Sequence, residues 1–116
     1  MVNFVEGFHT GEYLVSEAEG TLSREEVIVT QTGSALVSGT VLGKVTASGK
    51  YKPYSNSATD GTEVAAAILY TELKAATGDR KGVVVHVRNC EVFKGALTGI
   101  DTAGIADLKL LNVIVR

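Results

Sequence analysis

Thr40-Val41-Leu42-Gly43-Lys44-Val45-Thr46-Ala47-Ser48-Gly49-Lys50-Tyr51-Lys52 is the stretch on which the fold turns. Val41, Val45 and Ala47 fall on one side of an extended chain, because successive side chains of a strand point to opposite faces. Ser48-Gly49 supplies a two-residue hairpin signal, and Lys50-Tyr51-Lys52 reads as the returning strand. Pro53 has no amide hydrogen to give to a ladder and ends it.

The same pattern extends outward. In Glu26-Val27-Ile28-Val29-Thr30-Gln31, Val27 and Val29 share one face and Glu26, Ile28 and Thr30 the other, until Gly33-Ser34 breaks the run. Downstream, residues 55–61 form a loop closed by an Asp60-Gly61 turn. Val64 to Leu73 could be helical by its Ala65-Ala66-Ala67 core. A strand is preferred, with Val64, Ile68 and Tyr70 on one face and Leu69, Thr71 and Leu73 on the other. Thr77-Gly78-Asp79 reads as a turn, and Gly82 opens Val83-Val84-Val85-His86-Val87-Arg88, whose Val83, Val85 and Val87 make an unbroken apolar face. Cys90-Glu91-Val92-Phe93 extends the sheet to a Lys94-Gly95 turn. One helix follows, capped by Asp101 or Thr102, with Ile105, Leu108 and Leu111 on one face and Asn112 closing it. Val113-Ile114-Val115 is a last short strand.

These elements predict an α+β, mainly β fold: one compact domain of short antiparallel strands, barrel- or sandwich-like, with a single C-terminal helix. The 116 residues suit one domain, which should bury roughly two-thirds of the surface exposed by the unfolded chain. The chain is 45% hydrophobic but only 6% aromatic, without Trp, so the core should be thin and aliphatic. Thirteen Gly against a single Pro fit many tight turns between short strands.

Residues 1–25 differ from the rest. They are polar, apart from the island Tyr13-Leu14-Val15, which is too short for a helix and carries strand-forming residues. This divides the chain into an extended N-terminal arm, residues 1–25, that pairs with something else, and a β-rich body, residues 26–116. The alternative is that Tyr13 to Val15 form a first core strand.

Composition excludes several classes of function. The net charge is −2, from 11 basic and 13 acidic residues scattered along the chain, and no basic block exists to neutralise a phosphate backbone, so no nucleic-acid partner is expected. The N-terminus lacks the basic and apolar regions of a secretion signal, and no apolar run is long enough to cross a bilayer. A protein made in the cytoplasm, with no membrane partner, is the expectation. Cys90 is the single cysteine, has no cation beside it in sequence, and reads as structural.

Chemistry finds little support. His9 and His86 lack a second ligand at a recognised spacing, so no metal is expected, and His86 reads as a packed or surface imidazole rather than a ligand or base. No Gly-x-Ser-x-Gly elbow is present. Glu17, Glu19, Glu25 and Glu26 read as a solvated charged surface rather than as a general acid and base. Gly39-Thr40-Val41-Leu42-Gly43-Lys44 is one residue short of a P-loop and lies within a strand pattern, where its glycines mark a bulge or close packing. Neither an enzyme activity, nor a cofactor, nor a small-molecule substrate is expected.

Taken in order, several segments resemble the lambda-type bacteriophage head decoration family. They are Gly7-Phe8-His9-Thr10-Gly11-Glu12-Tyr13-Leu14-Val15-Ser16-Glu17 with Ser23-Arg24-Glu25, Gly39 to Val45 with Ser48-Gly49-Lys50-Tyr51, and Ala58-Thr59-Asp60-Gly61 with Ala66-Ala67-Ile68-Leu69. Lys81-Gly82-Val83, Arg88, Glu91 and Val113-Ile114-Val115-Arg116 complete the match over nearly the whole length. Residues 94–104 depart from it, since relatives often carry a longer segment with a Trp there.

The resemblance implies a capsid cement protein. Such proteins bind as homotrimers to the major capsid protein on the outer surface of an expanded phage head, at three-fold and quasi-three-fold sites, and stabilise it against DNA pressure. It also implies that an N-terminal arm makes the capsid contact, which here means Phe8, His9, Glu12, Tyr13, Leu14 and Val15. A second class is a biotinyl- or lipoyl-like carrier domain, suggested by the glycine-rich strands around Gly39 to Val45, with Lys44 or Lys50 as the modified residue. A third is a small enzyme whose site forms only between subunits.

Overall fold

The computed structural model describes residues 10–116. Among these residues eight strands and one α-helix run in the order β1 (Leu14–Glu17), β2 (Arg24–Thr32), β3 (Val41–Lys44), β4 (Tyr51–Pro53), β5 (Ala65–Leu69), β6 (Thr77–His86), β7 (Cys90–Val92), α1 (Thr102–Leu110) and β8 (Val113–Val115), with a 3-10 turn at Lys94–Ala96 between β7 and α1. Five of them close a barrel in the order β2-β4-β3-β5-β6, and the remaining three form a sheet in the order β1-β7-β8. The expected mainly β domain with one C-terminal helix is what the chain forms.

The barrel closes through the long antiparallel pair β2–β6, from Arg24↔His86 to Thr32↔Thr77. Two strand pairs are parallel: β2 with β4 at Val29↔Tyr51, and β7 with β8 from Cys90↔Val113 to Val92↔Val115. The sheets are thus mixed where uniform antiparallel pairing was expected. The helix returns the chain to the far side of β7, and such a crossover permits a parallel neighbour.

Two apolar clusters result. Val29, Leu42, Tyr51, Ala67, Leu69, Leu73, Val83, Val85 and Val87 fill the barrel. Tyr13, Val41, Tyr54, Ala65, Ile68, Cys90, Val92, Leu97, Leu108 and Val113 fill the space between the barrel wall and the β1-β7-β8 layer with α1. Strands β3 and β5 are the shared wall, with Val41 and Ile68 in one cluster and Leu42, Ala67 and Leu69 in the other. A strand covered on both faces needs no polar side, which is why Ala65 to Leu69 reads as a continuous apolar run. A register shift opposite Leu42/Gly43 skips Ala66 and turns Ala65 into the same cluster as Ile68. Val64, expected on the face of Ile68, is instead 51% exposed.

Other sequence readings shift for identifiable reasons. The hairpin between β3 and β4 exists, but its connection spans residues 45–50, with Val45 and Lys50 joined by a 2.8 Å backbone bond. Gly43 sits where β3 meets the loop before β5, and a Cβ there would lie 2.5 Å from Thr62 Cα. Thr77-Gly78-Asp79 is not a turn but the start of β6, because β2 runs on to Thr32 and gives those residues partners. Gly82 does not open the strand; it lies inside β6 at a register shift opposite Val27/Val29, with φ of 67°. An extra residue in a strand needs such a conformation, which glycine adopts without a Cβ penalty.

Helix α1 begins at Asp101, whose carboxylate accepts the Gly104 amide at 2.7 Å, and ends at Asn112 in the left-handed region. Its buried face is Gly104 and Leu108 rather than Ile105, Leu108 and Leu111; Ile105 is half-buried and Leu111 exposed. Gly104 lets the helix approach Tyr54, whose hydroxyl donates to Asp101.

Strand structure runs across residue 25, the expected end of the arm. β2 starts at Arg24 and crosses that boundary, and β1 pairs within the chain, to β7, at Leu14↔Val92, Ser16↔Glu91 and Glu17↔Cys90. Residues 10–25 thus pair and pack with residues 26–116 in this structure. Burial of Tyr13 and the pairing partner offered by β7 hold them there.

Candidate functional site

The residues proposed for capsid contact separate into three groups. Phe8 and His9 lie outside the described residues. Glu12 and Val15 are exposed, Val15 at 53%. Tyr13 is 1% exposed and Leu14 packs on the outer cluster, so neither presents its side chain as a docking group in this conformation. Tyr13 ends the turn before β1, and Leu14 and Val15 open that strand.

The turn before β1 is fastened on both sides. The Gly11 amide reaches the Tyr70 carbonyl and the Ser38 hydroxyl, each at 3.1 Å, and the Tyr13 carbonyl accepts the Phe93 amide at 2.7 Å. The Tyr13 ring descends to His86 on β6, which is fully buried. Tyr13 Oη lies 2.5 Å from His86 Nδ1, and His86 Nε2 lies 2.5 Å from Glu17 Oε2. A carboxylate only accepts, so Nε2 carries the imidazole hydrogen; Nδ1 is then the acceptor and the tyrosine hydroxyl donates to it.

Glu17 is shared. Arg24 Nη2 and Nε reach its two oxygens at 2.8 and 3.2 Å, and the guanidinium stacks over the Tyr70 ring, 4.4 Å from its centroid. Tyr13 and Tyr70 both meet His86 edge to face, at 5.6 and 5.5 Å between centroids. The hydrogen bond from Arg24 outweighs desolvation and holds the Glu17 carboxyl below its usual range. Burial pushes His86 down, the bond to Glu17 working against it, and burial pushes the Tyr13 hydroxyl up. Burial likewise raises the Cys90 thiol to about 11, an inert rather than a nucleophilic sulfur.

Sequence reasoning took Glu17 for solvated surface and did not connect it to His86 or Arg24. The available signal was His86 itself, an ionisable group in a valine-rich strand on the face opposite Val83, Val85 and Val87, which had to find partners once buried. Both ring nitrogens are occupied by protein groups. The carrier-domain reading asks for a lysine at a hairpin tip. Lys50 instead leaves the turn and bonds Asp79 at 2.6 Å, and Lys44 ends β3.

The protein-family comparison decides what this scaffold is. The model of the bacteriophage lambda head decoration protein D family matches residues 3–113. The chain belongs to that family. A comparison with curated proteins gives no match. The head decoration family is a structural one of the phage capsid, and the barrel with its strapped N-terminal strand is the form that this member takes.

Proposed function

We propose that this chain binds as a homotrimer to the major capsid protein on the outer surface of an expanded phage head, at three-fold and quasi-three-fold sites. There it stabilises the shell against the pressure of packaged DNA. The observation that carries this reading is the family match across residues 3–113. The chain is made in the host cytoplasm and ends in the virion.

The N-terminal segment is the proposed capsid contact. Phe8, His9, Glu12 and Val15 supply the contacting side chains, while Tyr13 and Leu14 anchor the segment's root in the core. Val15 is joined by Phe93, 55% exposed and following the strand that β1 pairs with, so the exposed side of this layer offers apolar area. An arm that adds to a partner's sheet edge gains affinity from backbone hydrogen bonds. Ordering it costs about 1–2 kcal/mol per residue, so a single arm binds weakly. Three arms on one trimer recover the loss, with avidity gains of roughly 10²–10⁴.

Electron microscopy of expanded heads mixed with the purified protein tests this directly. Trimeric knobs at local three-folds are expected, and bare heads at saturating protein would overturn the reading. Removing residues 1–9 should leave a folded protein that no longer decorates; undiminished decoration would transfer the contact to the body. A cut through Glu17 is unsuitable, because it also deletes β1 and the buried Tyr13.

A further inference from the structure

We propose that Tyr13, Glu17, Arg24 and His86 form a proton-sensitive latch that holds residues 10–23 against the barrel wall. The latch joins elements that are otherwise separate. Tyr13 precedes β1 and Glu17 ends it in the outer layer, whereas Arg24 and His86 are the paired end residues of β2 and β6 in the barrel. Side-chain bonds to one imidazole therefore tie the first strand to the barrel from both ends of that strand.

Every hydrogen of this wiring has an acceptor when the histidine is neutral. Tyr13 donates to Nδ1, and Nε2–H donates to Glu17. Adding a proton to Nδ1 reverses that bond, the ring now donating to Tyr13 Oη, and leaves the hydrogen of a buried hydroxyl without its acceptor. The new charge also has too few counter-charges. Among the described residues, the titratable groups facing His86 are Glu17 from β1, Arg24 from β2, Tyr13, and Tyr70 after β5, with Cys90 of β7 beside Tyr13 and Glu17. Of these only Glu17 is anionic, and Arg24 already uses it. One carboxylate cannot neutralise both a guanidinium and an imidazolium, and the imidazole has no exposure to water. Lifting residues 10–23 away is the route by which a protonated His86 reaches solvent.

The pH range follows from the direction of the shifts. His86 has its folded pKa depressed below the ordinary 6.5. The latch therefore contributes fully above 6.5 and weakens as pH falls through the folded value, since the opened form takes up the proton first. Glu17, depressed below its ordinary 4.5, adds a second loss in the same direction at lower pH. The device stands whether or not the chain decorates a capsid; on a head it would set the pH range over which the arm's root stays fixed.

Hydrogen–deuterium exchange of the full chain from pH 7.5 to 5.0, corrected for intrinsic rates, tests it. Peptides covering residues 10–23 should open about tenfold more for each pH unit below 6.5, as one proton taken up requires, while residues 25–32 of β2 keep constant protection. H86Q should flatten this dependence. Equal protection of residues 10–23 at pH 7.5 and 5.0, or the same slope in H86Q, would overturn the proposal. Should H86Q fail to fold, imidazole nitrogen shifts of the unaltered protein decide: a neutral ring protonated on Nε2 at pH 7 is expected, and an imidazolium there rules the latch out.

Discussion

The interior of the barrel and the layer outside it are built from different materials. Inside, aliphatic side chains from β2, β3, β5 and β6 dominate, with Tyr51 and the partly satisfied Gln31 as exceptions. Outside, burial is accompanied by specific polar links: Tyr13 to His86, the Tyr54 hydroxyl to Asp101, and the Ala65 amide to Asp107 at 3.1 Å. The barrel is held by area removed from water, which has no directional demand. The outer layer is gathered from the two ends of the chain, and directional bonds set where each piece sits. Side chains of one wall, β3 and β5, serve both.

The largest expected effect tests whether that shared wall makes one cooperative unit. Leu69→Ala, inside the barrel, should cost about 2–5 kcal/mol, and Leu108→Ala, under the helix, a comparable amount. In urea each should shift a single transition. A separate early transition for Leu108→Ala alone would show that the outer layer melts independently. Gly43→Ala attacks the wall itself, forcing a Cβ against Thr62 backbone, and should lose about 1–3 kcal/mol by overpacking. Unchanged stability there would mean that the two strands have room to part.

Asp101→Ala removes the helix cap, which typically costs about 0.5–2 kcal/mol, and also takes the acceptor from Tyr54. The urea midpoint should fall, with the change confined by exchange data to α1 and its surroundings. Spread of that change through the barrel would erase the difference between the barrel and the outer layer. Smallest of all, Lys50→Ala opens an exposed ion pair with Asp79. Such pairs are screened and entropically costly to hold, so the urea midpoint should not move.

These contrasts also explain what the sequence revealed. Barrel strands carried their pattern locally: Val83, Val85 and Val87 alternate, and the turn around Gly49 sits between two complementary runs. The helix was legible through Asp101 and Asn112, since caps are chemistry of single residues. The outer layer was not legible, because its logic joins residues far apart. Nothing near Tyr13 announces that its partner is His86, 73 positions away. The island at residues 13–15 resembled a free arm because its strand partner, β7, comes so much later in the chain. Likewise Thr77-Gly78 resembled a turn only while the length of β2 was unknown.

The order β1-β7-β8 has a geometric corollary. β1 runs antiparallel to β7 and β8 parallel to it, so Leu14, Val92 and Val115 stand abreast in one row. Neighbouring strands are about 4.8 Å apart, which leaves the entrance of the first strand and the exit of the last about 10 Å from each other. A bulky group appended after Arg116 would thus crowd the segment that precedes Leu14, making the carboxyl end a place from which that segment can be sterically blocked.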